Sequence, residues 1–298
     1  MASVPSQLRV DAELVRGLLQ AQQPQLADQT LVEVGDGWVN CVFRLGSDYA
    51  VRLPRREEAA ALMAKEQQWL PVLTAGLPTA TSVPLYCGLP QEPYPYPWSI
   101  SAWYDGLDVS LQPRGRNLAL AAPLAQFLNA FHTPAPEDYP ANPLVGGPLA
   151  ARDPAVQERL HAGMVPHAAR IGELWAEAVE VPGWNSAPVW LHGDLHPANL
   201  IAGNGTLQAI IDFGDLTAGD PAADLAAAWL VFEPAGRRAF RSALDTRYDA
   251  DPYLWLRARG WALCMASNLL AGARRHPGLY LVGSETLMEI LTDDLSWL

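Results

Sequence analysis

The chain has 298 residues, of which 50% are hydrophobic and 17% charged; such a chain buries a sizeable core, as one large domain or two lobes, and is not an extended disordered one. Its formal net charge of −12 repels nucleic-acid phosphates and anionic lipid, so neither is expected as a partner, whereas cationic small molecules are attracted. Three widely separated cysteines, Cys41, Cys87 and Cys264, lack C-x-x-C spacing, which argues against a disulfide framework or a cysteine zinc site and fits a reducing cytoplasm.

The N-terminal residues form no continuous apolar h-region, and no apolar run approaches the ~18 residues of a membrane helix, so neither a signal peptide nor a membrane span is expected. Residues 8–22 have helical spacing. Strand-like runs follow at 31–34, 38–45 and 49–53, broken by Gly35, Asp36 and Gly37 and then by Gly46, Ser47 and Asp48. Helical spacing returns over 57–73, with Ala61, Met63, Trp69, Leu70 and Leu73 as apolar positions. Two more strands are expected near 83–89 and 98–104, separated by QEPYPYP, whose prolines forbid a central strand. From 117 the pattern turns helical, with one helix expected over 117–132. The Pro/Gly-rich residues 133–150 are long for a loop in a compact domain, a length often found in lids. Asp153-Pro154 reads as a helix start. NLIAG and LQAIID flank Asn204-Gly205 and predict a hairpin. Asp220-Pro221 opens another helix with Leu225, Trp229 and Leu230 on one face, and helices fill the rest. The expected architecture is α+β, with a small strand-rich lobe over 1–104 and a larger helical lobe over 105–298.

The chemistry concentrates in LHGDLHPAN, residues 191–199. His192, Asp194 and His196 alternate, which in a strand presents three metal-ligand types on one face. That reading leaves a metallohydrolase open, although Pro197 ends any strand and the nearest upstream histidine is His167. The following residues offer a second reading. Asn199 lies five residues after Asp194, and Asp212 opens DFG beyond the hairpin. H-x-D-x-x-x-x-N followed by a strand and D-F-G is the arrangement that phosphoryl transfer requires. Asn199 and Asp212 supply hard oxygen ligands for Mg²⁺, while Asp194 sits where an incoming hydroxyl is oriented and relieved of its proton. The competing bland reading is a polar turn with a capping aspartate.

With these residues in view, LHGDLHPAN and IIDFGDLTAGDPAADLA resemble the catalytic and metal-binding segments of the aminoglycoside phosphotransferase family, whose fold is protein-kinase-like and bilobal. The resemblance spans roughly residues 31–229, taking in VGDGWVNCVFRL at the nucleotide-binding loop, VRLPR, KEQQWL and the hinge WSISAWYDG. It implies ATP or GTP as phosphoryl donor, Mg²⁺, a catalytic base at Asp194 and metal ligands at Asn199 and Asp212. Glu66 matches the glutamate that pairs with the phosphate-binding cation, and Arg52 stands where that cation is usually lysine. Arginine grips phosphate through a planar fork and is not equivalent to lysine. In the glycine loop Gly35 and Gly37 are present, but Asn40 replaces the third glycine of a protein kinase. Backbone groups of Ala102 and Tyr104 are expected at the purine edge. His192 is expected to hold the catalytic loop, and Asp220 to brace it or to cap the next helix. Asp215 reads as a surface turn residue or, as the alternative, an acid supporting the site from behind.

The resemblance implies a small-molecule kinase, with an aminoglycoside-type antibiotic as the first expectation for the acceptor and antibiotic resistance as the role. Macrolides, choline, homoserine and fructosamine-type sugars are acceptors of kinases with the same motifs. On the last helix Glu285, Glu289 and Asp293 recur every four residues and so share a face. That row is either a cation-binding wall of the acceptor site or a solvated surface. Besides the metallohydrolase, a nucleotide-binding pseudokinase remains open because of Arg52.

Overall fold

The structure, a computed structural model, describes residues 8–36, 40–272 and 277–296. Gly37 of the glycine loop lies outside them. The chain divides into two compact units, residues 1–76 with 81–104, and residues 77–80 with 105–298.

The first unit is built on an antiparallel sheet. Its strands are β1 (Leu31–Asp36), β2 (Asn40–Leu45), β3 (Tyr49–Pro54), β5 (Pro84–Gly88) and β6 (Trp98–Ala102), in the order β1-β2-β3-β6-β5. A two-residue strand, β4 (Ala80–Thr81), precedes β5. Alternation along β2 buries Cys41, Phe43 and Leu45, as a sheet with one covered face demands. Helix α1 (Ala12–Gln22) starts at residue 12 rather than 8 because the Asp11 carboxylate accepts from Leu14 N (3.1 Å) and caps it. Its Val15, Leu18 and Leu19 join Phe43, Val51, Leu53, Trp98 and Ile100 in one core.

Helix α2 (Glu57–Leu73) buries Ala59, Met63, Glu66 and Leu70. That i, i+4, i+7, i+11 spacing defines one stripe, so a glutamate occupies a core position. The expected apolar position Ala61 is exposed.

In the second unit the segment expected as one helix over 117–132 is a 3₁₀ run, Arg114–Leu120, leading into α3 (Ala121–Phe131). Helices α4 (Asp153–His161) and α5 (Ala168–Val179) follow. Strands β7 (Leu107–Asp108), β9 (Leu200–Gly203) and β10 (Thr206–Ile210) lie in the order β10-β9-β7. Asn204 and Gly205 both take positive φ, 52° and 76°, which the tight turn of the expected hairpin requires. Strands β8 (Val189–Leu191) and β11 (Thr217–Gly219) pair antiparallel outside it. The helix expected from Asp220 is broken into α6 (Ala222–Leu225) and α7 (Ala227–Val231), buried on every side. Helices α8 (Pro234–Ala243), α9 (Leu254–Ala271) and α10 (Pro277–Thr292) complete the unit, α10 packing along α9. Among the described residues no helix is long and apolar enough to cross a membrane.

The segment 133–150 is tied down along its length. Ala135 N donates to Pro188 O (2.9 Å), Thr217 Oγ1 to Pro140 O (3.0 Å), Asn142 N to Thr217 Oγ1 (3.0 Å) and Asp220 N to Gly146 O (2.9 Å). It is a strap across β8 and β11, where the sequence suggested a lid.

Candidate active site

Strand β8 delivers the chain into the loop 192–199, and β11 takes it away after Asp212-Phe213-Gly214-Asp215. Pairing of Leu191 with Thr217 closes the outer end. The β9–β10 hairpin closes the inner end, where Ile211 N donates to Asn199 O (2.9 Å). Two ladders therefore bring Asp194, Asn199 and Asp212 onto neighbouring turns. Gly193 sits at φ 88°, and a Cβ there would lie 2.4 Å from Asp215 O. Only glycine lets the two turns approach so closely.

Asn199 Nδ2 donates to Asp194 O (2.8 Å) and reaches its carboxylate at 3.4 Å. Its amide oxygen is the remaining end, a hard donor for a metal ion. Asp212 holds φ at 62°, a left-handed conformation that aspartate tolerates better than most residues and that recurs at functional sites. Asp194 is surrounded by protein on most sides, yet its side chain is 37% exposed. Burial by itself raises its carboxyl pKa. The nearby His196, His192 and the Asn199 amide outweigh that and hold it below the usual carboxylate range. Asp194 is thus ionised at neutral pH.

Both ring nitrogens of His192 have partners within the protein. Its Nε2 lies 3.0 Å from Ile211 O, its Nδ1 accepts from Asp194 N (3.2 Å), and its ring packs on Phe213 with centroids 4.4 Å apart. His196 Nδ1 accepts from Ala198 N (3.2 Å) and its Nε2 faces Asp194 at 3.4 Å. Burial lowers the His196 pKa, but Asp194, Asp212 and Asp108 together raise it above the ordinary value. With the imidazole nitrogens committed to the protein, the histidine-ligated metallohydrolase loses its ligands. Among the described residues no group of three His, Cys, Asp or Glu is arranged to hold a metal.

The residue that braces the loop is Asp224, not Asp220. The fully buried Asp224 carboxylate accepts from His192 N (2.7 Å) and Gly193 N (2.9 Å), and from His132 Nε2 at 3.2 Å. Behind it His132 Nδ1 lies 2.9 Å from the Tyr248 hydroxyl. Asp220 instead accepts from Ala222 N (3.0 Å), as a helix-starting aspartate does, and pairs with Arg257 Nε at 2.6 Å. Asp224 shares the α6 turn four residues on, and that i+4 spacing was the available clue; nothing in the sequence singled out His132. Asp215, expected on the surface, is half-buried and accepts from Asn142 Nδ2 (2.9 Å).

In the first unit Arg52 of β3 and Glu66 of α2 meet at 2.5 Å, their side chains 8% and 1% exposed. The buried stripe of α2 aims the glutamate at β3. Asn40 opens β2, and its Oδ1 is buried without a hydrogen-bond partner among the described residues. Ala102 ends β6 opposite Tyr49. Trp103 N donates to Asp48 O (2.7 Å), and the Tyr104 hydroxyl donates to Thr81 O (2.7 Å).

The acidic row of α10 is already engaged. Arg114 Nε donates to Glu285 (2.9 Å), and its other nitrogens bind Trp229 O, Val282 O and Thr286 Oγ1. The buried Arg237 pairs with Glu289 and, at 2.6 Å, with Asp293, which also accepts from Trp229 Nε1 (2.7 Å). Two buried guanidiniums hold the three carboxylates as an anchor for the last helix.

An antiparallel-sheet unit, a helical unit and a loop pairing an ionised aspartate with Asn199 and Asp212 define a protein-kinase-like phosphotransferase. Residues 30–261 match the phosphotransferase enzyme family, and the chain belongs to that family. Among solved structures it is similar to an aminoglycoside 2′-phosphotransferase variant in complex with GDP, at TM-score 0.69 and 20% identity over 96% of this chain and 99% of that one. A GDP and kanamycin complex of an APH(2″) enzyme gives 0.70 and 21% over 94% and 99%. A type I macrolide 2′-phosphotransferase gives 0.62 and 18% over 93% and 98%. Likeness at these identities speaks for the shared fold. A search of curated protein sequences finds no significant match.

Proposed function

We propose that the protein transfers the γ-phosphoryl group of ATP or GTP to a hydroxyl of a small molecule in the cytoplasm. The observation that carries this reading is the ionised, partly exposed Asp194 held beside Asn199 and Asp212 by two strand ladders. Asp194 accepts a hydrogen bond from the acceptor hydroxyl and orients its oxygen. A loose transition state asks for alignment and charge neutralisation more than for a strong base, which suits a carboxylate of low pKa.

The donor set fits Mg²⁺: one carboxylate, one amide oxygen, and room for water and phosphate oxygens to complete an oxygen shell. When bound, the ion neutralises phosphate charge. Asp212 and Asn199 would hold it. Asp224 keeps the loop in register through the His192 and Gly193 amides. For the Arg52–Glu66 pair we propose the phosphate-gripping role, with Asn40 and the backbone of Ala102 and Tyr104 on the nucleotide. The solved relatives' names mention GDP, ADP and ATP, which leaves both purine nucleotides as donors. Kanamycin and streptomycin stand in the names of solved relatives, so aminoglycosides belong in the acceptor panel.

The test is nucleotide consumption with a panel of aminoglycosides, macrolides and hydroxylated metabolites. Asp194→Ala should lose ~10²–10⁴-fold in turnover, as loss of a positioned base does, and keep Mg-nucleotide binding by calorimetry. Asp212→Ala should lose both. A chain that binds Mg-nucleotide but phosphorylates no acceptor is a pseudokinase, and Asp194→Ala at full activity contradicts the assignment of the base.

A further inference from the structure

The cavity beside Asp194 has a character of its own. It lies within the second unit and measures about 130 Å³, below the ~300–1,000 Å³ usual for drug-sized ligands. Leu144, Val145, Trp261 and Met265 supply apolar wall. Its charged side chains besides Asp194 are Asp215, already accepting from Asn142, and Arg152, with the Cys264 thiol also in the wall. Arg152 is half-buried and has no hydrogen-bond or ion-pair partner among the described residues. The adjacent Asp153 is not available to it, because its Oδ1 accepts from Trp175 Nε1 (2.7 Å) and Gln157 Nε2 (3.1 Å). The α10 carboxylates are held by Arg114 and Arg237.

A molecule with several ammonium groups needs several uncommitted carboxylates, and burying its charges against a guanidinium is unfavourable. An unpaired, half-buried guanidinium is instead a built receptor for a carboxylate or similar oxyanion, which it binds in a bidentate, charge-assisted way. We propose that the acceptor is a small hydroxyl compound with an apolar body and one anionic group, and that Arg152 is the specificity-determining residue binding that group. This rests on the phosphotransferase reading and narrows its acceptor away from polycations. The transfer itself is unchanged: the hydroxyl oxygen forms the new O–P bond, the bond between γ-phosphorus and the β,γ-bridging oxygen breaks, the nucleoside diphosphate leaves, and the hydroxyl proton passes to Asp194.

The test uses three probes with one skeleton, para-hydroxymethylbenzoate, its methyl ester and para-hydroxymethylbenzylamine. Each is titrated by calorimetry into the full chain saturated with Mg²⁺ and a non-hydrolysable nucleotide. The carboxylate should bind most tightly. Arg152→Gln should weaken it about ten- to hundredfold, the range for one charge-assisted contact, leaving the ester unchanged. Arg152→Lys should keep the preference and Arg152→Glu should transfer it to the amine. The proposal is overturned if the carboxylate fails to bind better than the ester and the amine, or if its advantage survives in Arg152→Gln. Loss of phosphotransferase activity in Asp194→Ala tests the underlying reading separately, since these affinities do not depend on turnover.

Discussion

Replacing Asp224 with asparagine should loosen the catalytic loop without emptying its surroundings. The carboxylate is fully buried and receives three donors, His192 N, Gly193 N and His132 Nε2. Asparagine keeps the shape but has one acceptor oxygen. If that oxygen faces His192 N and His132 Nε2, the new NH₂ points at Gly193 N, and a buried amide loses its partner. An unsatisfied buried donor costs ~1–3 kcal/mol, and a bond to a charged acceptor is worth ~1.5–3 kcal/mol against ~1 for a neutral one. Together these give a loss of about 3 kcal/mol, a large share of the ~5–15 kcal/mol of a typical domain. Functionally, Gly193 precedes Asp194, and a displacement of ~1 Å at a reacting group costs ~10²-fold. Urea unfolding followed by circular dichroism should show the lower stability. Steady-state kinetics should show kcat falling by that order with the nucleotide KM nearly constant. A variant with wild-type unfolding midpoint and wild-type kcat would refute the bracing role.

The same carboxylate gives a pH dependence. Burial raises the Asp224 pKa, but the bond and charge of His132, the His192 charge and the Gly193 amide together hold it below the usual range. A lowered folded-state pKa contributes stability in full above the unfolded value of ~3.9, and that contribution is lost as pH falls through the folded one; acid unfolding should therefore be steeper in wild type than in Asp224→Asn. Arg52→Ala removes the guanidinium that meets the buried Glu66 at 2.5 Å and should lower the thermal unfolding midpoint, alongside weaker nucleotide binding, whereas Arg52→Lys should restore much of both. Changing Glu285 and Glu289 together to glutamine should lower the unfolding midpoint and leave the acceptor KM unchanged; a rise in KM for a cationic acceptor would return the row to the acceptor site.

What the sequence disclosed was whatever depends on neighbours in the chain. Asn204-Gly205 between two alternating runs specifies the hairpin because positive φ is needed at both turn positions. The H-x-D-x-x-x-x-N and D-F-G spacings place Asp194, Asn199 and Asp212 close together because that hairpin joins them. The helical pattern over 57–73 was legible as a helix, yet its buried face was misjudged at Ala61 because a glutamate takes a core position opposite Arg52. The acidic row of α10 was visible as a row, but its partners were not: Arg114 is 171 residues from Glu285, and Arg237 comes from another helix. Asp224 was hidden for a related reason. A capping aspartate at 220 and a bracing aspartate at 224 look alike until tertiary packing gives one Arg257 and the other two loop amides.

The strap over 133–150 joins two duties that proteins often keep apart. Its Asn142 and Gly146 fasten the β8–β11 framework, while Leu144 and Val145, between those fastenings, form cavity wall. The side chains at 144 and 145 can therefore vary in size and polarity while the anchors on either side keep the backbone in place. The strap is thus a short insert whose two cavity-facing side chains can be exchanged while its fastenings hold the backbone beside the loop bearing Asp194.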